Sequence, residues 1–202
     1  MENERVRITG EEILSDNFYT LKKITYDLRR TDGRWQKQER EAYAGGNGVT
    51  ALLYNKNNRT VLMTRQFRVP AYLNKHDGFM IETPAGMLDG EPPEKRVRAE
   101  VEEETGYRAE NLEKVLELFM SPASVTERVH LFIGEYDPDK RVGDGGGLDE
   151  EGEDIEVFEL AFDEALAMVA RGEIVDAKTV ILLQYLQLRH ARIDGEQGSE
   201  AR

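Results

Sequence analysis

The chain has 202 residues, 39% hydrophobic and 33% charged, which fits one globular domain of roughly 150 residues plus an appendage and excludes collagen, coiled coil and wholesale disorder. Lys and Arg number 27 against 40 Asp and Glu, a formal net charge of -13, so counterion release cannot drive general nucleic-acid binding. There is no cysteine, which removes thiol catalysis, disulfides and cysteine-ligated metal sites, and the polar start together with the lack of any apolar run near 18 residues predicts a soluble, cytoplasmic protein.

In chain order, Asn17 to Tyr43 carries bulky and β-branched residues on either side of Asp32-Gly33, the signal of a hairpin and hence of a β appendage. Gly45 to Gly48 breaks the pattern, and VTALLYNKNNRTVLMTRQFR then reads as two apolar strands around an Asn57-Asn58 turn. A loop carrying Pro70 follows. Pro92-Pro93 and Gly106 bracket a helix from about Pro93 to Thr105. Strands are expected at Val115 to Met120 and Val129 to Tyr136, then a long polar loop, the strand IEVFEL, a helix from about Asp163 to Arg171 stopped by Gly172, and a helix from about Ala177 to His190 with Asp176 as N-cap. Strands and helices interleave without a βαβ rhythm, so a mixed sheet with helices on both faces is expected. His76, His130 and His190 are too scattered for a metal site, and the Leu182, Leu183, Tyr185, Leu186 stripe reads as core. No P-loop, nucleophile elbow or zincin motif occurs.

The chemistry is concentrated in the helix near residue 100. Glu100, Glu103 and Glu104 stand three and four apart, which puts three carboxylates on one side of the helix, beside the face marked by Val97 and Val101. Four acids among five residues at a helix C-terminus repel one another and oppose the macrodipole, at about 0.3 to 1 kcal/mol each. Spacing alone leaves two readings, a solvated glutamate face or a shelf for a hard cation. A divalent ion would reverse both penalties, and oxygen ligands without His or Cys favour Mg²⁺ or Mn²⁺ and suit diphosphate chemistry.

Gly86 and the helix ending EVEEETGY resemble the loop-helix-loop signature of the Nudix hydrolases, G-x5-E-x7-R-E-U-x-E-E-x-G-U, where U is aliphatic or aromatic. Glu100, Val101, Glu103, Glu104, Gly106 and Tyr107 occupy pattern positions. The first half is one residue short, with Glu91 as the candidate box acid, and Ala99 stands where the pattern has arginine, with Arg98 just before it. From Ile13 to about Gln187, stretches such as ILSDNFYTL, GNGVTALLYN, PAGMLD, EDIEV and DAKTV resemble the GDP-mannose pyrophosphatase branch, which shares the shortened box. Pro122 is shared with the ADP-ribose pyrophosphatases.

The resemblance implies an α+β fold, a Nudix-type α/β/α sandwich with a mixed sheet, preceded by an N-terminal antiparallel β appendage. The expected divisions are residues 1–44 for the appendage, 45–190 for the Nudix domain and 191–202 for a disordered tail. It further implies Mg²⁺, or Mn²⁺, held by Glu100, Glu103, Glu104 and the Ala85 carbonyl, with Glu153 as a loop ligand and base; Glu150 and Glu151 remain alternatives because the loop is longer than the family's. A mobile loop rich in Gly145, Gly146 and Gly147 could swing that base over substrate. Arg68, Glu127 and Lys178 match substrate contacts, as do Ala85, Gly86, Met87 and Gly152, while Phe18, Glu39, Arg40 and Glu41 match a nucleotide-contacting part of the appendage. The implied activity is metal-dependent hydrolysis of a nucleoside diphosphate sugar, GDP-mannose first and ADP-ribose as the alternative, by a homodimer with no nucleic-acid or membrane partner. A non-catalytic sensor of the same nucleotide sugar is the rival from another class.

Overall fold

The computed structural model describes residues 3–148, 150 and 152–199, with side chains up to residue 189. The chain divides into two compact units, Met1–Asn47 with Phe119–Arg128, and Gly48–Leu118 with Val129–Arg202.

The first unit is an antiparallel sheet of β1 (Val6–Asp16), β2 (Thr20–Arg29) and β3 (Trp35–Ala44), in that order. The β2–β3 hairpin is in unbroken register from Thr20 opposite Ala44 to Arg29 opposite Trp35, and it turns at the expected place, with Gly33 at φ 87° and the Asp32 carboxylate accepting from the Arg34 N–H. β1 was not legible in the sequence. It is largely exposed and carries polar residues on both faces, so backbone pairing rather than hydrophobic alternation defines it. The segment 121–126 belongs to the same unit: the Tyr43 N–H donates to the Ser124 carbonyl, and the Thr126 N–H to the Tyr43 carbonyl.

The second unit is built on a mixed sheet with path β10-β5-β4-β9-β8, formed by β4 (Gly48–Asn55), β5 (Thr60–Phe67), β8 (Glu110–Phe119), β9 (Arg128–Glu135) and β10 (Glu156–Ala161). β4 runs parallel to β9 and antiparallel to β5. The β4–β5 hairpin closes on Asn55, whose side-chain oxygen accepts from the Asn57 and Asn58 N–H groups. Further along, the hairpin splays. β4 pairs β5 only from Leu53 to Asn55, while its first residues pair β7 (Ala85–Met87) and the far half of β5 pairs β6 (Phe79–Glu82). This opening admits Thr83 to Gly86 into the middle of the sheet.

Val97 and Val101 of α2 (Pro93–Thr105) pack on one face with Val49, Ala51, Leu53 and Phe132, all buried. Leu52 alternates to the other face, where α3 (Phe162–Arg171) and α4 (Ala177–Ser199) lie, with Leu182, Leu183 and Leu186 buried. The mixed sheet between helices is as expected, and so are the bounds of α2 and α3, which end at Gly106 and Gly172 in left-handed conformation.

Three expectations need correction. Pro70 lies in a short helix, α1 (Val69–Leu73), where its fixed φ suits the first turn. The last helix does not stop at His190: its backbone continues to Ser199, so most of the segment expected to be a disordered tail is helical, and residues 200–202 lie outside the described residues. β8 begins five residues earlier than Val115, at Glu110.

Candidate active site

The floor of the site is the insertion between β6 and β7. The Pro84 carbonyl accepts from the Ala51 N–H at 3.1 Å and from the Thr50 hydroxyl at 2.9 Å, and the Thr83 N–H donates to the Thr179 hydroxyl at 2.9 Å. Thr50, Thr83 and Thr179 are fully buried and hydrogen-bonded, so this polar chain fixes the Ala85 backbone rather than destabilising the core.

Against this floor lies α2. Glu100 is 5% exposed and Glu104 1%. The Ala85 N–H donates to Glu104 Oε1 at 3.4 Å, whereas Glu104 Oε2 is buried with no hydrogen-bond partner. Burial raises the Glu104 pKa well above the usual carboxylate value, and the Glu100 and Glu153 carboxylates push the same way; the Ala85 N–H and Arg68 pull back without prevailing. Gly86 backs onto Glu100 so closely that a Cβ there would overlap the carboxylate, which gives the box glycine a local reason.

Arg96, one turn before Glu100, is the residue that sequence reasoning missed here. Its guanidinium binds Glu100 Oε1, reaches Glu103 Oε2 at 3.4 Å and donates from Nε to the Met87 carbonyl at 3.1 Å. The i,i+4 spacing to Glu100 was the available signal. Arg98 turns away, to the Ala109 carbonyl and Glu94, and Glu91 pairs with Lys95 at the surface. Among the described residues no group of three His, Asp or Glu side chains is gathered closely enough to hold a metal without rearrangement. The donor set nevertheless fits a hard cation: all oxygen, two carboxylates buried, and one buried oxygen unpartnered.

The glycine loop is anchored to this helix. The Gly146 and Gly147 N–H groups donate to the Glu104 and Glu103 carbonyls, and those of Val142 and Gly143 to the Gly106 carbonyl, so the loop satisfies carbonyls that the helix end leaves open. Gly145, at φ 65°, lies so near the Glu104 and Thr105 backbone that a side chain there would collide. Glu153 is held from the same loop: one carboxylate oxygen accepts from the Leu148 N–H at 3.0 Å and rests against Gly147. The image of a freely swinging loop therefore gives way to one whose glycines are docked on the carboxylate helix. Glu150 and Gly152 are described on its exposed side, and Glu151 lies outside the described residues.

Arg68 and Lys178 form a second charged group in the same unit. Arg68 clamps Glu82 through Nε at 3.0 Å and Nη2 at 2.8 Å, and Lys178 reaches Asp176 at 2.6 Å and Glu82 at 3.9 Å. Burial lowers the Arg68 pKa, and the Glu82, Glu104 and Asp176 carboxylates together more than offset it, leaving Arg68 firmly charged. Asp176 caps α4 as expected, accepting from the Thr179 N–H, and in addition orients Lys178. Glu82 gave no sequence signal, because a single acid after an apolar run looks like a strand end.

Phe18, Glu39, Arg40, Glu41 and Glu127 all belong to the first unit. Phe18 is 82% exposed with its ring edge-on to Tyr19, and Arg40 bonds the Glu39 carbonyl.

Comparison with known proteins bears on this arrangement. Residues 5–43 match the family described as the GDP-mannose pyrophosphatase NudK N-terminal domain, and residues 46–185 match the NUDIX domain. The chain is 52% identical over 183 residues to a GDP-mannose pyrophosphatase of Klebsiella pneumoniae, covering 90% of this chain and 91% of that protein. It is 50% identical over 188 residues to one of Escherichia coli O157:H7, covering 93% and 97%, and 50% identical over 189 residues to one of Salmonella paratyphi B, covering 93% and 98%. The chain that carries this arrangement is thus matched in sequence over most of its own length, and it belongs to the Nudix hydrolase family.

Proposed function

We propose that this Nudix hydrolase cleaves the diphosphate of GDP-mannose, giving GMP and mannose 1-phosphate, with Mg²⁺ as its metal and Mn²⁺ as a substitute. The observation that carries the reading is the half-identity, over more than nine-tenths of the chain, to proteins named GDP-mannose pyrophosphatase. The site geometry supports it, since an orphaned carboxylate oxygen on Glu104 lies beside Glu100 and the Ala85 turn.

Glu100, Glu103, Glu104, the Ala85 carbonyl and Glu153 are the groups that would hold the metal. When bound, it supplies charge neutralisation of the diphosphate and a lowered pKa for water. Arg68 and Lys178, pre-oriented by Glu82 and Asp176, offer donors to phosphate oxygens without an entropic search at the moment of binding. Glu153, fixed by the Leu148 N–H, is the group assigned to take the proton from attacking water. Gly86, Met87 and Gly152 present backbone to the substrate, and Phe18, Glu39, Arg40, Glu41 and Glu127 are assigned to the nucleotide. The appendage, residues 1–44, is assigned to a homodimer contact and residues 45–190 to catalysis. We assign the protein to the cytoplasm, a reducing compartment with which its lack of cysteine is compatible.

The test is ion-exchange product analysis after incubation with GDP-mannose and with ADP-ribose, each with Mg²⁺ or chelator. GMP and mannose 1-phosphate are expected, abolished by chelator and reduced at least a hundredfold in Glu104→Gln. Faster release of AMP and ribose 5-phosphate would move the substrate to ADP-ribose; saturable binding without product would make the chain a sensor; full activity in Glu104→Gln would overturn the metal assignment.

A further inference from the structure

The two buried carboxylates of the helix are treated unequally. Glu104 has an oxygen with no partner, while Glu100, equally enclosed, is met by the guanidinium of Arg96. The Arg96 side chain is only 20% exposed, and its guanidinium is held at three points: Glu100 Oε1, Glu103 Oε2 and the Met87 carbonyl. Ala99 has no polar side chain, and Arg98 is committed to Ala109 and Glu94, so among the arginines of α2 Arg96 alone serves the shelf.

From this we infer that Arg96 is a built-in counter-cation of the metal shelf: it occupies Glu100 and Glu103 when no divalent ion is bound and lowers the affinity of the site for that ion. The inference rests on the metal reading proposed above. An arginine stays charged at every working pH, so its positive charge cannot be shed when a second cation arrives. Ion and guanidinium then draw on the same two carboxylates and repel each other across a poorly solvated gap. In the metal-free fold Arg96 offsets the charge of Glu100, whose neighbour Glu104 is a second buried carboxyl. Arg96 is therefore a positioning residue with two opposed effects, supporting the empty shelf and weakening the filled one.

Titration of the full chain with Mn²⁺ alone, following free Mn²⁺ by electron paramagnetic resonance, tests this alongside melts in chelator and in saturating Mn²⁺. Arg96→Gln is expected to bind Mn²⁺ about three- to tenfold more tightly than the parent, to melt lower in chelator, and to gain more from the metal. Arg96→Lys, which keeps the charge, is expected to bind within twofold of the parent. Should Arg96→Gln fail to fold, the parent alone decides: the Arg96 Nε–H resonance, recognised by its loss in Arg96→Lys, is expected to shift and exchange faster as Mg²⁺ is added. Weaker or unchanged Mn²⁺ affinity in Arg96→Gln, or an Nε–H signal indifferent to Mg²⁺, overturns the inference. Parent-like Mn²⁺ binding in Glu104→Gln would instead defeat the metal reading on which it rests.

Discussion

A buried carboxylate with one unpartnered oxygen works against folding, and Glu104 is that residue. Its pKa in the folded chain is raised, so the folded state prefers the protonated form while the unfolded state ionises near the ordinary carboxylate value. The contribution of Glu104 is therefore fully favourable at acid pH and is lost as pH climbs from that ordinary value towards the raised one. In chelator, the fall in melting temperature between pH 5 and pH 8 is expected to be smaller for Glu104→Gln than for the parent, and the variant is expected to melt higher at pH 8. An equal fall in the two proteins would show that the carboxylate is not confined as described. Glu100, Glu103 and Glu104 were legible because helical spacing is a one-dimensional signal. Glu82 and Arg96 were not singled out, because their roles come from partners that only packing brings near, with Glu82 meeting Arg68 across two strands.

Within the elements, α2 shows how local and tertiary signals divide. Its bounds follow from Pro93 and Gly106, whose backbone preferences act where they stand, and the structure starts and ends the helix there. What the helix end needs next comes from forty residues further on, where the 142–147 segment folds back to bond the carbonyls of Glu103, Glu104 and Gly106. Nothing in the composition of that glycine-rich loop distinguishes a docked segment from a free one. Gly145→Ala is expected to cost about 1 to 3 kcal/mol in urea unfolding, since alanine would be placed at positive φ against backbone atoms. It should also reduce turnover beyond what that loss explains, because the same loop carries Glu153. A fully stable variant would mean the loop is not held against the helix. β1 illustrates the opposite case, an exposed strand defined by its ladder and invisible to hydrophobic periodicity.

For the whole molecule, the two units differ in what sustains them. The second has a sheet with helices on both faces and a closed apolar core, whereas the first is a three-stranded sheet that leaves Ile8, Ile13 and Phe18 exposed. Exposed apolar residues on a small sheet agree with the proposed pairing of appendages in a homodimer. Light scattering at micromolar concentration is expected to return about twice the 23.1 kDa chain mass. A monomer retaining full activity would reject that assignment.

The sequence by itself determined the family, the mixed α+β plan, the hairpins at Asp32-Gly33 and Asn57-Asn58, the carboxylate helix and its caps, since each is written in residues close together along the chain. Only the tertiary structure decided that the β4–β5 hairpin opens to admit the Ala85 turn, that the glycine loop docks on the helix carrying the acids, and that Arg96 rather than a residue at position 99 neutralises Glu100. These are pairings of groups far apart in sequence or alternatives among nearby charges, and they are settled by which burial leaves the fewest polar groups without a partner, a quantity defined only once the chain is packed.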